Sequence, residues 1–147
     1  MTNKVNKKGF TLIELLVVIG IVVILAAIVL VAVNPGRQLS TARNAQRKSD
    51  VNTILNSVNQ YMVDNNGQVP TGMADCGTGM SDIGSGDIDL SVSLVATYVA
   101  SMPMDPGSPS TDQGSIVDTY YNICSSNNRV TVSAPNAELG ETVSVTR

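Results

Sequence analysis

The sequence predicts an α+β fold: a long amino-terminal α-helix whose second half packs against a small antiparallel β-sheet head. Three observations predict it. From Phe10 to Val33, 21 of 24 residues are hydrophobic, the exceptions being Thr11, Glu14 and Gly20. Val51, Ile54, Leu55, Val58, Tyr61 and Met62 then recur at the i, i+3, i+4, i+7 spacing of a single helix face. The last thirty residues hold three short strand-like runs separated by turn residues. A chain of 147 residues is enough for one domain and too short for two full ones. With 43% hydrophobic and 14% charged residues, it is too apolar to be disordered.

The first element dictates its own environment. After Glu14 there are 19 uncharged residues, Leu15 to Val33. As a helix they span roughly 28 Å, about the hydrocarbon thickness of a bilayer. In lipid every backbone donor and acceptor must be satisfied within the segment, so its β-branched residues do not prevent helix. A secretory signal has an apolar core of about 7–15 residues and a small-residue cleavage site. This core is longer, and Val31-Ala32-Val33 is a poor site. A plain membrane anchor explains the length but not Glu14. A carboxylate in hydrocarbon costs about 2.5–3.5 kcal/mol on insertion scales, although proximity to the helix N-terminus offsets part of that.

Lys7-Lys8-Gly9-Phe10-Thr11-Leu12-Ile13-Glu14-Leu15-Leu16 resembles the processing and assembly signature of type IV prepilins, shared with the pseudopilins of type II secretion and competence systems. The resemblance runs over roughly residues 4–70; the later part matches in style only. It implies a pilin-like fold in which residues 1–9 are a leader peptide removed by a membrane peptidase cutting between Gly9 and Phe10. The same resemblance implies N-methylation of Phe10 and a requirement for Glu14 in assembly. Gly at the scissile position fits, because a backbone without Cβ approaches a protease closely. Removal of residues 1–9 strips Lys4, Lys7 and Lys8, leaving 6 basic and 12 acidic side chains, a net −6. It also exposes the Phe10 α-amine, normally protonated near neutral pH. A neighbouring subunit's Glu14 is its natural counter-ion in a helical bundle.

The implied partners are copies of the chain in a helical filament, the prepilin peptidase/methyltransferase, the assembly platform, and the cytoplasmic membrane before assembly. The implied destination is the cell surface. Lysines and arginines flank the apolar run on both sides, Arg37, Arg43, Arg47 and Lys48 lying within 15 residues of Val33, so charge does not set orientation. The resemblance does, leaving the leader in the cytoplasm. Under this reading residues 10–34 are the membrane and filament-core helix, 35–68 an amphipathic helix, and 69–147 the head. Polymerisation is head-to-tail, since heterologous contacts that do not close generate a fibre. The alternative reading is a pseudopilin or minor pilin in secretion or DNA uptake, and a third is an anchored ectodomain that never assembles.

Asn34-Pro35-Gly36 interrupts the expected helix of roughly 55 residues, because Pro35 removes a hydrogen bond and Gly36 lowers propensity. A kink at Pro35 and Gly36, or one helix ending and another beginning, both fit. Asp64-Asn65-Asn66-Gly67 supplies the stop, with Pro70 after it. Arg37, Arg43, Asn44, Arg47 and Lys48 form a basic cluster. At about 100° per residue Arg43 and Arg47 share one face, while Arg37 and Lys48 share another. The cluster is split and lacks interleaved aromatics, which predicts a solvated face or pairing with acidic neighbours in a filament rather than nucleic-acid binding.

Residues 71–118 read as loop-rich. Leu90, Leu94, Val95, Tyr98 and Val99 fit one short amphipathic helix, ended by Met102-Pro103-Met104-Asp105-Pro106, which resembles a loop of pilin-like heads. Asp82, Asp87 and Asp89 suggest calcium, but the ladder lacks the Gly and Glu of an EF-hand loop, and an acidic surface loop is the preferred reading. The tail predicts a three-stranded meander, Asp118–Cys124, Arg129–Ala134 and Thr142–Val145. Cys76 and Cys124, 48 positions apart, are the only cysteines, and outside the cytoplasm they predict one disulfide contributing about 4 kcal/mol.

Enzymatic chemistry has little to build on. There is no His, no Ser/His/Asp set, no phosphate loop and no metal-ligand spacing, so neither activity nor cofactor is expected. Phe10, Tyr61, Tyr98, Tyr120 and Tyr121 are too few for stacking platforms, and a net charge of −3 argues against a nucleic-acid partner. Adhesion, motility, secretion and DNA uptake all remain open at this level.

Overall fold

The computed structural model describes residues 9–107 and 113–147; Lys4, Lys7, Lys8 and the rest of the leader before Gly9 lie outside them. The elements, in order, are α1 (Leu12–Val33), α2 (Pro35–Asp64), β1 (Ser81–Asp82), α3 (Ser91–Leu94), β2 (Asn122–Ser126), β3 (Arg129–Ala134) and β4 (Val143–Thr146). The fold is α+β. The chain divides into two units, Met1–Gln38 and Leu39–Arg147.

The first unit is α1 and the start of α2. Among the described residues, none in α1 is buried. By length and composition it is able to cross a membrane. Asn34 ends it in the left-handed conformation, φ 45°. Its backbone oxygen accepts from Arg37 N at 3.1 Å and Gln38 N at 3.3 Å, and its Oδ1 also accepts from Arg37 N. Pro35 then takes the first helical position, where no N–H is needed. One residue thus closes α1 and caps α2.

In the second unit the sheet is antiparallel throughout, in the order β1-β2-β3-β4. Four strands rather than the expected three build it. β1 is only two residues long, Ser81–Asp82 on Ile123 and Asn122, too short to leave an alternation in the sequence. β2 begins at Asn122, not at Asp118. Tyr120 sits at φ 59° with its N–H on Asp118 Oδ1, and this turn delays the strand. Asn127 and Asn128, both at positive φ, join β2 to β3 in the two-residue turn that matches strand twist. The helix expected over Leu90–Val99 shrinks to α3, because Val95 is extended and Ala96 adopts φ 70°.

α2 is held by two different chemistries. Val51, Ile54, Leu55 and Val58 are buried against Ile123, Val130, Val132, Val143, Ile83, Leu90 and Leu94, with Tyr61 and Met62 at the margin. Its end is a Schellman turn, Gly67 N donating to Met62 O at 2.7 Å with Asn66 left-handed. Before Val51 the buried residues are all polar: Asn44, Arg47 and Asp50. Arg47, fully buried, donates to both oxygens of the buried Asp105 at 2.7 and 2.9 Å, and to Gly107 O. Glu138 meets Arg43 at 2.6 and 2.7 Å and Arg47 at 3.2 Å. Asn44 holds the Glu138 backbone from both sides, donating to its oxygen at 2.8 Å and accepting from its N–H at 2.9 Å. Asp50 accepts from Tyr121 Oη at 2.7 Å and from Gln46. Among the described residues no buried side-chain polar atom lacks a partner.

These pairings set the acid response. The Arg43 guanidinium holds the Glu138 carboxyl down at about 2. Burial pushes Asp50 up, against the bonds from Tyr121 and Gln46 that lower it. The depressed Glu138 contributes stability above the ordinary carboxylate range and loses it as pH falls from about 4.5 towards 2. Asp50 works in the opposite sense, its protonation relieving a buried charge. Urea titrations should therefore show wild-type stability declining between pH 4.5 and 2, with a flatter decline in Glu138→Gln. Close approach matters elsewhere: a Cβ on Gly84 would lie 2.2 Å from Val117 O. Gly84→Ala should cost about 1–3 kcal/mol in the same titration.

Candidate functional site

The candidate site of the first unit is the sequence around the start of α1. Gly9 and Phe10 precede the helix as exposed, non-helical backbone, Phe10 being 92% exposed. An uncovered segment outside regular structure is the form in which a protease engages a chain. Nothing within 4 Å of Gly9 fills the space of a Cβ. Thr11, at φ −82° and ψ 152°, is the N-cap of α1. Its Oγ1 accepts from Glu14 N at 3.2 Å, while Thr11 N and Oγ1 both donate to Glu14 Oε2 at 2.8 Å. This is a capping box, two terminal donors being satisfied reciprocally. The spacing Thr11-x-x-Glu14 carries it in the sequence, and Thr11 is the residue that the reading of Glu14 as a solitary acid overlooked. Both bonds that Thr11 donates to the carboxylate end on Oε2; among the described residues none ends on Oε1.

Within the basic cluster Arg43 and Arg47 are not part of the solvated face the sequence suggests, while Arg37 and Lys48 are exposed. Arg43 and Arg47 converge on Glu138, and Arg47 is sealed on Asp105. Lys48 pairs with Glu141. The shared face of Arg43 and Arg47 is what brings both to one carboxylate. Asp105, the acid of the Met102–Pro106 stretch, is therefore the buried counter-ion of α2. Among the candidate nucleic-acid residues, four are thus consumed by intrachain contacts: Arg43, Asn44, Arg47 and Lys48.

The three aspartates considered for calcium go separate ways. Asp87 Oδ2 accepts from Asp82 N at 3.0 Å, closing the loop between them. Asp89 accepts from Ser91 and starts α3, which lowers its pKa. Among the described residues no group of three or more His, Cys, Asp or Glu could hold a metal. Cys76 and Cys124 form a disulfide with Cα atoms 5.0 Å apart. It fastens the segment after α2 to β2, where Cys76 N and Ala74 O also pair with Ser125. A cavity of about 230 Å³ beside α3 is lined mainly by apolar groups, among them Ile83, Leu90, Met102, Met104 and Ile116.

Comparison with known proteins returns to the amino terminus. No curated protein and no solved structure is matched by the chain. Residues 4–30 match the family described as the prokaryotic N-terminal methylation motif, which is the signature of type IV pilins and pseudopilins.

Proposed function

We propose that this chain is a structural subunit of a type IV pilus-like filament, not an enzyme. It is made as a prepilin in the cytoplasmic membrane, cleaved after Gly9, N-methylated at Phe10 and polymerised through α1 into a surface filament. One observation carries the reading: α1 has no buried residue, yet it starts on a placed carboxylate directly after an exposed Gly-Phe bond inside the methylation motif. An uncovered apolar helix of 22 residues requires lipid or other copies of itself. Within this reading the chain divides into the leader 1–9, the spine 10–34, the amphipathic helix 35–68 and the head 69–147.

Glu14 has a defined role in the proposal. Its Oε2 is engaged by Thr11, and its Oε1 accepts the Phe10 ammonium of an adjacent copy. In low dielectric that pair is worth far more than in water, and a mismatched register leaves two buried charges alone. The break at Asn34 gives the spine a place to yield. The small head, without an elaborated binding domain, favours a repeating subunit. A pseudopilin or minor pilin of a secretion or DNA-uptake system is the second reading, favoured by the same motif.

Mass spectrometry of the processed protein should give a chain beginning at N-methylated Phe10. A chain retaining Met1, or cut near Asn34, overturns the reading. Glu14→Ala should weaken each subunit contact by roughly 100-fold or more, the cost of an orphaned buried charge, and abolish filaments visible by electron microscopy. Long filaments of this chain on cells separate the first reading from the second.

A further inference from the structure

The change of chemistry along α2 has a consequence for how the second unit opens. Asn44, Arg47 and Asp50 continue the same stripe that Val51, Ile54, Leu55 and Val58 form further along, but with polar groups in place of apolar ones. Their counterparts are anchored in the head independently of α2. Asp105 N donates to Thr119 O at 3.0 Å, and Asp105 O accepts from Gly114 N at 2.9 Å. Glu138 lies in the connection between β3 and β4, its oxygen accepting from Glu141 N, with Leu139 beside it at φ 59°. The nonpolar residues Leu39, Ala42 and Ala45 are exposed already. Separating this seam therefore uncovers chiefly charges and amides that water resolvates, together with the stem of Arg47 and the Tyr121 hydroxyl bonded to Asp50. Separating the stretch from Val51 onward would uncover the core.

We infer that residues 39–50 of α2 form a detachable lever, which undocks from the head as a helix by hinging at Asp50–Val51 while Val51–Asp64 stays packed. A buried ion pair is poor glue compared with a matched apolar seam, because solvation recovered on opening offsets most of the attraction. A seam built of such pairs gives a low-lying, partly open state well short of global unfolding. In the filament reading this lets the spine adjust while the head stays folded; the lever itself does not depend on that reading.

Native-state hydrogen exchange on the full chain in detergent micelles tests it, read by NMR at two groups whose bonds cross the seam. These are the Glu138 amide, held by Asn44 Oδ1, and Arg47 Nε–H, held by Asp105 Oδ2. The comparators are the amides of Cys124 and Thr131, paired between β2 and β3. The seam groups should be protected at least about tenfold less than the comparators, with a much shallower urea dependence, since urea dependence scales with surface exposed. Equal protection and equal slope at all four positions overturns the lever. In Arg47→Met/Asp105→Leu the fully buried ion pair of the seam becomes an apolar contact, and the position-138 amide should shift towards the steep slope of the comparators. If it keeps a shallow slope, the polar chemistry is not what permits opening. Should that variant not fold, the wild-type comparison decides alone.

Discussion

An apolar helix with no buried residue is the constraint on which the rest of this molecule depends. α1 presents 22 residues, none of them buried among the described residues. Water penalises such a surface in proportion to its area. The segment is therefore defined by a medium or by neighbours rather than by its own chain. Its only charge sits at the first turn, bound back to Thr11, where the orphan donors of a helix start welcome an anion. The capping box makes Glu14 compatible with a helix in a low-dielectric setting, because it engages the carboxylate within the chain.

The second unit solves a different problem, attaching a polar helix to a small sheet. The apolar half of the solution is ordinary, with β-branched residues of β2 and β3 facing the α2 stripe on alternate positions. The polar half is less so. Every hydrogen-bonding group of Glu138, backbone and carboxylate alike, is engaged: Asn44 takes its N–H and C=O, and Arg43 and Arg47 take its oxygens. Arg47 in turn spends its remaining donors on Asp105, Asn44 and Gly107. A guanidinium is suited to this place because its planar fork meets a carboxylate with two parallel bonds and still has donors to spare.

What was legible in the sequence follows from the range of the interactions concerned. The stripe from Val51 to Met62, the break around Pro35 and the stop at Gly67 are local patterns, and each is present where the periodicity puts it. The burial of Arg47 was not legible, since its partners lie 58 and 91 positions away and a helical wheel shows only that Arg43 and Arg47 share a face. β1 escaped because two residues cannot alternate, and the helix over Leu90–Val99 was overestimated because apolar spacing does not register a left-handed Ala96. Thr11 was within reach, four residues of sequence carrying the whole box, but the weight given to Glu14 as an intramembrane acid hid its simpler local role.

That local role and the proposed intersubunit role are complementary rather than competing. A carboxylate offers two oxygens and about four acceptor directions. Thr11 occupies Oε2 from one side, using its own N–H and hydroxyl, and so fixes the side-chain rotamer at no cost to Oε1. A free glutamate would lose its rotamer freedom only on meeting a neighbour's amine, and that loss would come out of the contact. Here the ordering is met within the monomer by the same bonds that start the helix. The acid that distinguishes this segment from a plain anchor is therefore presented already oriented, which is the arrangement an assembly contact needs if one buried charge is to set register between otherwise featureless apolar helices.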